Sequence, residues 1–134
     1  MKTNTEIKVR GYHLDAYLHV NNARYLEFLE EARWDYLDKI NALDHIKNQG
    51  LAFVIVKISI DYLWPAKQGE NLRIETHLAE VGNTSFVFHQ TVHNTSANRP
   101  SAEAKITFVL LNMTSGKAVR VDDQTRALLS GQTN

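Results

Sequence analysis

The sequence lacks the residues on which several kinds of active site depend. It has no cysteine, which excludes disulfides, thiolate metal ligands and a cysteine nucleophile, and fits a reducing compartment. The six glycines are Gly11, Gly50, Gly69, Gly82, Gly116 and Gly131. No two of them are close enough for a phosphate loop, a dinucleotide fingerprint or a Gly-x-Ser-x-Gly elbow. Nucleotide binding and serine hydrolysis on their usual folds are therefore excluded.

The chain also lacks a net charge and a long apolar run. Lys plus Arg and Asp plus Glu number 15 each, so no overall field attracts a polyanion, and we expect no nucleic-acid partner. No stretch approaches the roughly 20 apolar residues of a membrane helix, and the N-terminal residues have no apolar signal core. At this length we expect a single domain over residues 1–134, located in the cytoplasm without a membrane span.

One long segment has the apolar period of a helix. From Asn22 to Ile40, apolar side chains form one stripe and acidic side chains fall on the far side. The stripe consists of Tyr25, Phe28, Leu29, Ala32, Tyr36 and Ile40. Asn21 or Asn22 can cap the first turn through a side-chain oxygen. Trp34 lies among the acidic residues, either as an interface residue or as a ring covering a neighbouring loop.

Alternating apolar residues predict five strands. They are Glu6–Arg10, Ala52–Tyr62, Leu72–Val81, Phe86–Val92 and Ala104–Leu110. Asn41–Gly50 is predicted as a polar connection, Asp122–Leu129 as a short helix and Gly131–Asn134 as a frayed end. Short connections favour antiparallel pairing, and the long helix carries the only large apolar stripe that could cover the sheet. We therefore predict an α+β fold with an antiparallel sheet wrapped around one helix.

The loop before this helix holds a carboxylate and an imidazole. Asp15 and His19 lie just upstream of the helix N-terminus, where free backbone N–H groups and the helix dipole favour negative charge. An acid or base at this position is well placed for chemistry. Spacing alone nevertheless favours a turn residue for Asp15, and it allows a partly buried, main-chain-bonded ring for His19.

A metal site is not indicated by the histidines. His89 and His93 have the spacing of zinc ligands on a helix, but they fall in a predicted strand. Four residues of a strand span about 13 Å, which is too far for one ion to meet both rings. We expect neither a metal nor a cofactor.

Two stretches around the loop closely resemble a known family. Lys8–Asp15 and His19–Trp34 have the sequences KVRGYHLD and HVNNARYLEFLEEARW. They resemble the hotdog-fold thioesterases of the 4-hydroxybenzoyl-CoA thioesterase family, and within it the enzymes acting on long-chain acyl-CoA. Ile60–Tyr62, Pro65-Ala66 and Ala104–Val109 resemble later parts of the same family. The resemblance covers nearly the whole chain, with a specific N-terminal motif and a C-terminal half that matches mainly in pattern.

The resemblance implies a fold, an assembly and a set of site residues. The fold is a five-stranded antiparallel sheet around one central helix, and the subunits join their sheets into homodimers or homotetramers with acyl-CoA bound between them. Asp15 matches the catalytic carboxylate, acting as general base or as nucleophile. The residues assigned to the substrate are His19, Asn22, Tyr25, Thr84 and Ser85, of which the last two match a loop near CoA. Backbone N–H groups at the turn into the helix, or near Ala52, are candidate donors to the thioester carbonyl.

The function implied is hydrolysis of medium- or long-chain fatty acyl-CoA to the free acid and CoA. Two alternatives remain: a hotdog hydratase using Asp15 and His19 on an enoyl thioester, and a non-catalytic acyl-CoA-binding protein. The Asn21-Asn22 context resembles the thioesterase branch. The chain departs from the family at Leu18, where many relatives have glycine. We expect the Leu18 side chain to narrow the turn or to change its backbone angles.

Overall fold

Five antiparallel strands form one sheet. A computed structural model describes residues 1–131, and the strands in it are β1 (Lys2–Lys8), β2 (Leu51–Tyr62), β3 (Asn71–Val81), β4 (Ser85–Asn94) and β5 (Arg99–Asn112). Their order across the sheet is β1-β3-β4-β5-β2, and every neighbouring pair is antiparallel. The predicted sheet is confirmed, and β1 and β2 are its two edges.

A long helix, α1 (Asn22–Lys39), covers one face of this sheet. The Asn21 side chain accepts a hydrogen bond from the backbone N–H of Ala23 at 2.9 Å, which caps the first turn as predicted. The whole predicted apolar stripe is buried. In the core, the Tyr36 ring meets the Phe88 ring edge to face, with centroids 5.0 Å apart. Burial of each such large side chain contributes about 1.5–3 kcal/mol, so the stripe anchors α1 on the sheet.

Two short helices complete the fold. The first, α2 (Ala42–Asn48), replaces the predicted polar connection, because Ala42 and Ile46 bury one apolar side of a segment too short to show a clear period. The second, α3 (Asp123–Leu129), confirms the predicted C-terminal helix. The Tyr36 hydroxyl donates a hydrogen bond of 2.6 Å to the main-chain oxygen of Leu129 and thereby fastens α3 to α1. Of the end predicted to fray, residues 132–134 lie outside the described residues.

The edge strand β2 departs from simple alternation. Its register with β5 shifts between Ile55 and Lys57, as in a β-bulge. Val56, which lies within this shift and has no partner in β5, is 56% exposed, and Ile58 beyond it is 38% exposed, although both residues are apolar. One edge of the sheet therefore presents apolar side chains together with unpaired backbone groups. None of the helices within residues 1–131 has the length and hydropathy needed to cross a membrane.

Candidate active site

Asp15 lies in a tight turn between β1 and α1. Its backbone N–H donates to the His19 oxygen at 2.8 Å, and its own carbonyl oxygen accepts from the Leu18 N–H at 3.1 Å. The carboxylate Oδ1 accepts from the backbone N–H groups of Tyr17 at 2.9 Å and His19 at 3.4 Å. Oδ2 has no hydrogen-bond partner among residues 1–131. One carboxylate oxygen thus serves the turn while the other is free for a ligand.

Leu18 adopts the backbone conformation that favours glycine. Its φ is 64°, in the left-handed region. Its side chain is 69% exposed, so the extra carbons extend into solvent instead of filling the turn. The departure from the family at this position is therefore accommodated with a left-handed backbone. A non-glycine residue in this conformation costs about 1–2 kcal/mol.

The start of α1 offers a free backbone donor. The Val20 N–H donates to the Ala66 oxygen and the Asn21 N–H to the His13 oxygen, both at 2.9 Å. The next N–H, that of Asn22, meets no acceptor within the part of the chain that the structure describes. It lies at the positive end of an 18-residue helix, where an anion or a polarised oxygen is stabilised.

Two tyrosines, Tyr25 and Tyr62, lie in contact near the start of α1. The Tyr25 ring is buried and meets the Tyr62 ring edge to face at a centroid distance of 5.4 Å. The Tyr62 hydroxyl donates to the main-chain oxygen of Asn22 at 2.9 Å. Burial raises the pKa of both phenols. Tyr25 is thus a core residue beside the site, whereas Tyr62 holds the helix entrance directly.

Tyr62 was missed by sequence reasoning as a site residue. Its sequence signals are its position at the end of an apolar strand, just before Trp64-Pro65, and the family resemblance of Ile60–Tyr62, and neither assigns it a role in the site. His19, by contrast, takes part mainly through its main chain. Its carbonyl oxygen accepts from Asp15, and its half-buried ring makes no hydrogen bond within residues 1–131.

Thr84 and Ser85 lie at the other end of the sheet from Asp15. Ser85 begins β4, and its oxygen accepts from the Gly82 N–H at 2.7 Å in the β3–β4 turn. The Asp15 loop follows the last residue of β1, Lys8, which pairs with Asn71 at the end of the sheet where β4 finishes. The 10 residues of β4 separate that end from Ser85 by about 30 Å. Asp15, His19, Asn22 and Tyr25 are therefore brought together within one chain, and the Thr84–Ser85 turn is not.

A sheet wrapped around one helix, with a carboxylate at the helix entrance, defines a hotdog-fold protein of the thioesterase type. The chain belongs to the thioesterase-like superfamily, whose family model matches residues 9–129. The family resemblance seen in the sequence and the predicted fold class are both confirmed.

Three relatives illustrate the similarity. Long-chain acyl-CoA thioesterase FadM of Escherichia coli is 42% identical over 125 residues, which cover 93% of this chain and 95% of FadM. Acyl-CoA thioesterase YbgC of Haemophilus influenzae is 35% identical over 92 residues, covering 67% of this chain and 68% of YbgC. The crystal structure of YbaW, a probable thioesterase from Escherichia coli, matches with a TM-score of 0.90 and 40% identity over 98% of both chains.

Proposed function

We propose that this protein hydrolyses medium- or long-chain fatty acyl-CoA to the free acid and CoA, with Asp15 as its catalytic carboxylate. The observation that carries the proposal is that, within residues 1–131, the Asp15 Oδ2 just before α1 and the Asn22 N–H at its first residue both lack a hydrogen-bond partner. Similarity to FadM, named a long-chain acyl-CoA thioesterase, supports the reaction and the substrate class.

The two groups have complementary roles in this chemistry. The Asn22 N–H, reinforced by the helix dipole, donates to the thioester carbonyl oxygen as negative charge develops on it. Asp15 then either takes a proton from the attacking water or attacks the carbonyl carbon itself, forming an anhydride that water opens. On both routes the C–S bond breaks, and CoA leaves as the thiol after its sulfur is protonated. The fatty acid product gains one oxygen, which comes from water or, on the anhydride route, from water or the Asp15 carboxylate.

Replacing Asp15 by asparagine tests this role. Asparagine retains an oxygen that can accept from the Tyr17 and His19 N–H groups, so the turn is preserved while the carboxylate is lost. We expect thiol release from dodecanoyl-CoA to fall by about 10²–10⁴-fold. Asp38→Asn, which removes an exposed carboxylate from the other end of α1, is the matched control.

Other outcomes of this assay distinguish the alternatives. Unchanged thiol release in folded Asp15→Asn would show that Asp15 is only a turn residue. Hydration of crotonyl-CoA with the thioester left intact would indicate the hydratase. Tight binding of acyl-CoA by the wild type without thiol release would indicate a non-catalytic binding protein.

We also propose that the complete site is formed between two subunits joined through β2. The exposed apolar edge of β2 supports such a joint, as do the positions of Asp15 and the Thr84–Ser85 turn at opposite ends of the chain's sheet. Antiparallel pairing of two β2 edges around a two-fold axis would bring one subunit's Asp15 end towards the partner's Thr84–Ser85 end. Two such homodimers could form a homotetramer.

A charge on the β2 edge tests the assembly. Val56→Lys should produce monomers in sedimentation velocity experiments and reduce thiol release, although Asp15 is untouched. The control is Lys57→Gln, which leaves the neighbouring apolar residues in place. Persistence of the wild-type oligomer in folded Val56→Lys would contradict joining through this edge.

A further inference from the structure

A polar cavity lies at one corner of the sheet, around the turn that joins β4 to β5. Its volume is about 350 Å³. The polar side chains that line it are those of Arg73, His93, Asn94, Thr95, Asn98 and Arg99. Arg73 and His93 are partners in the β3–β4 register, and they alternate along their strands with the buried residues Leu72 and Val92. These two cavity residues therefore lie on the face of the sheet that α1 leaves uncovered.

The cavity is separate from the site proposed for hydrolysis. Among the described residues, its walls come entirely from β3, β4, the β4–β5 turn and the start of β5. The Asp15 turn precedes α1, and the proposed subunit joint is β2. The cavity and the proposed active site thus share no residue of this chain.

The two arginines of the cavity have no carboxylate partner in the described part of the chain. The ion pairs there are Lys2–Glu75, Arg24–Glu27 and Lys39–Asp35. Glu6 lies opposite Arg73 in the β1–β3 register, but it forms no ion pair with Arg73 and lines a different cavity. Glu75, two residues along β3 from Arg73, is paired with Lys2. The positive charge of Arg73 and Arg99 is therefore available to a ligand.

The Arg99 guanidinium is held in place by an aromatic ring. Its central carbon lies 3.6 Å from the centroid of the Trp64 ring, in a cation–π contact. Stacking of this kind uses the flat face of the guanidinium and leaves the N–H groups at its edge able to donate. Arg99 thus presents oriented donors although the residue itself is exposed.

Asn94 adds a buried, neutral donor to the cavity wall. Its Oδ1 accepts from the Ala97 N–H at 2.9 Å in the turn, which fixes the orientation of the amide. The residue is only 1% exposed, and its Nδ2 meets no acceptor within residues 1–131. A buried donor without an acceptor is costly, so a ligand that supplies an oxygen to this amide is favoured.

These donors suit a phosphate group better than a carboxylate. A carboxylate is planar, and one guanidinium satisfies it through two parallel N–H bonds. A phosphate monoester has three outer oxygens and up to two negative charges, which match two guanidiniums and an amide. At roughly 30 Å³ for each water-sized group, the cavity holds about 12 non-hydrogen atoms, more than a phosphate group alone. The remaining volume admits a short organic substituent.

We propose that this cavity binds a small phosphate monoester, with Arg73 and Arg99 donating to its phosphate oxygens together with the Asn94 amide. The His93 ring, opposite Arg73 in the sheet, supplies a further nitrogen that can donate. The proposal does not depend on the proposed hydrolysis, because none of these side chains belongs to the Asp15 turn or to α1.

Isothermal titration calorimetry in a phosphate-free buffer, with glycerol 3-phosphate and glycerate as ligands, tests the proposal. Both are small anions with hydroxyl groups, and only the first carries a phosphate. Wild-type protein should bind glycerol 3-phosphate at least tenfold more tightly than glycerate. Arg73→Gln and Asn94→Asp should each weaken binding of the phosphate ester at least tenfold. Aspartate keeps the acceptor for the Ala97 N–H but replaces the amide donor by a negative charge.

Two matched controls remove the same groups outside the cavity. Asn112→Asp makes the same exchange at the other end of β5, where the Asn112 Oδ1 accepts from the N–H groups of Thr114 and Ser115. Lys105→Gln removes an exposed positive charge from the same face of the sheet, beside His89. Both variants should bind the phosphate ester within twofold of the wild type.

Three binding results would overturn the proposal: equal affinities of the wild type for the two ligands, tighter binding of inorganic phosphate than of the ester, or ester binding that survives in folded Arg73→Gln or Asn94→Asp. If Arg73→Gln does not fold by circular dichroism, Asn94→Asp decides. The KM of Arg73→Gln for dodecanoyl-CoA should equal that of the wild type. A raised KM would assign the cavity to the phosphates of CoA and would also overturn the proposal.

The phosphate site and the proposed hydrolysis can fail independently. Asp15→Asn should bind glycerol 3-phosphate like the wild type even when it releases no thiol. Conversely, loss of ester binding in Arg73→Gln with thiol release at the wild-type rate is the result expected for two separate sites.

Discussion

Replacing Leu18 by glycine should stabilise the protein. The left-handed backbone at φ 64° costs a leucine about 1–2 kcal/mol, and glycine adopts it without that cost. Glycine also gives the unfolded chain more conformational freedom, which lowers the free energy of unfolding by about 0.4–1 kcal/mol. Because the leucine side chain is largely exposed, little burial is lost. The free energy of unfolding should therefore rise by about 0.5–1 kcal/mol, or roughly 2–4 °C in Tm.

Leu18→Ala is the decisive control for this prediction. Alanine removes nearly the same exposed carbons but retains the Cβ that crowds the left-handed backbone. Urea denaturation followed by circular dichroism, at one fixed protein concentration, measures both variants against the wild type. Glycine should stabilise and alanine should not. Equal effects of the two substitutions, or a destabilised Leu18→Gly, would refute the explanation by backbone strain.

Further predictions concern the ends of the helices. Tyr36→Phe should cost about 1–3 kcal/mol in urea denaturation, because it leaves the buried Leu129 oxygen without its donor. Asn21→Ala should cost about 1 kcal/mol in the same assay through loss of the α1 cap. Asp122→Ala should cost a similar amount, about 1 kcal/mol, at pH 7. Hydrogen bonds from Thr125 hold the pKa of Asp122 below its usual range, so its contribution is present at neutral pH and lost as the pH falls through that lowered value. The difference between Asp122→Ala and wild type should therefore shrink in acid.

The parts of the fold predicted best are those with a long, repeated signal. The limits of α1 were predicted to within one residue, since five turns of apolar stripe begin at an asparagine cap. The position of β1 was predicted less well because Lys2–Thr5 is polar, and its strand is defined by pairing with β3, far along the chain. The helix α2 was missed because seven residues bury only Ala42 and Ile46.

In the candidate site too, the features set by sequence neighbours could be predicted, and those set by distant strands could not. The position of Asp15 before the helix was visible in the motif, and the turn that holds its Oδ1 is built from its sequence neighbours. The support of the helix by Tyr62 depends on where β2 ends relative to α1. The distance between Asp15 and the Thr84–Ser85 turn depends on strand order, and pattern alone does not specify it.

The hydrogen bond from Tyr62 to Asn22 links two surfaces that would otherwise be independent. Tyr62 is the last residue of β2, whose free edge is the proposed subunit joint, and Asn22 is the first residue of the helix proposed to polarise the substrate. Stabilising that edge by association should therefore also restrict the motion of the helix entrance. Specific activity would then rise with protein concentration until the assembly is complete, and it would fall when the protein is diluted.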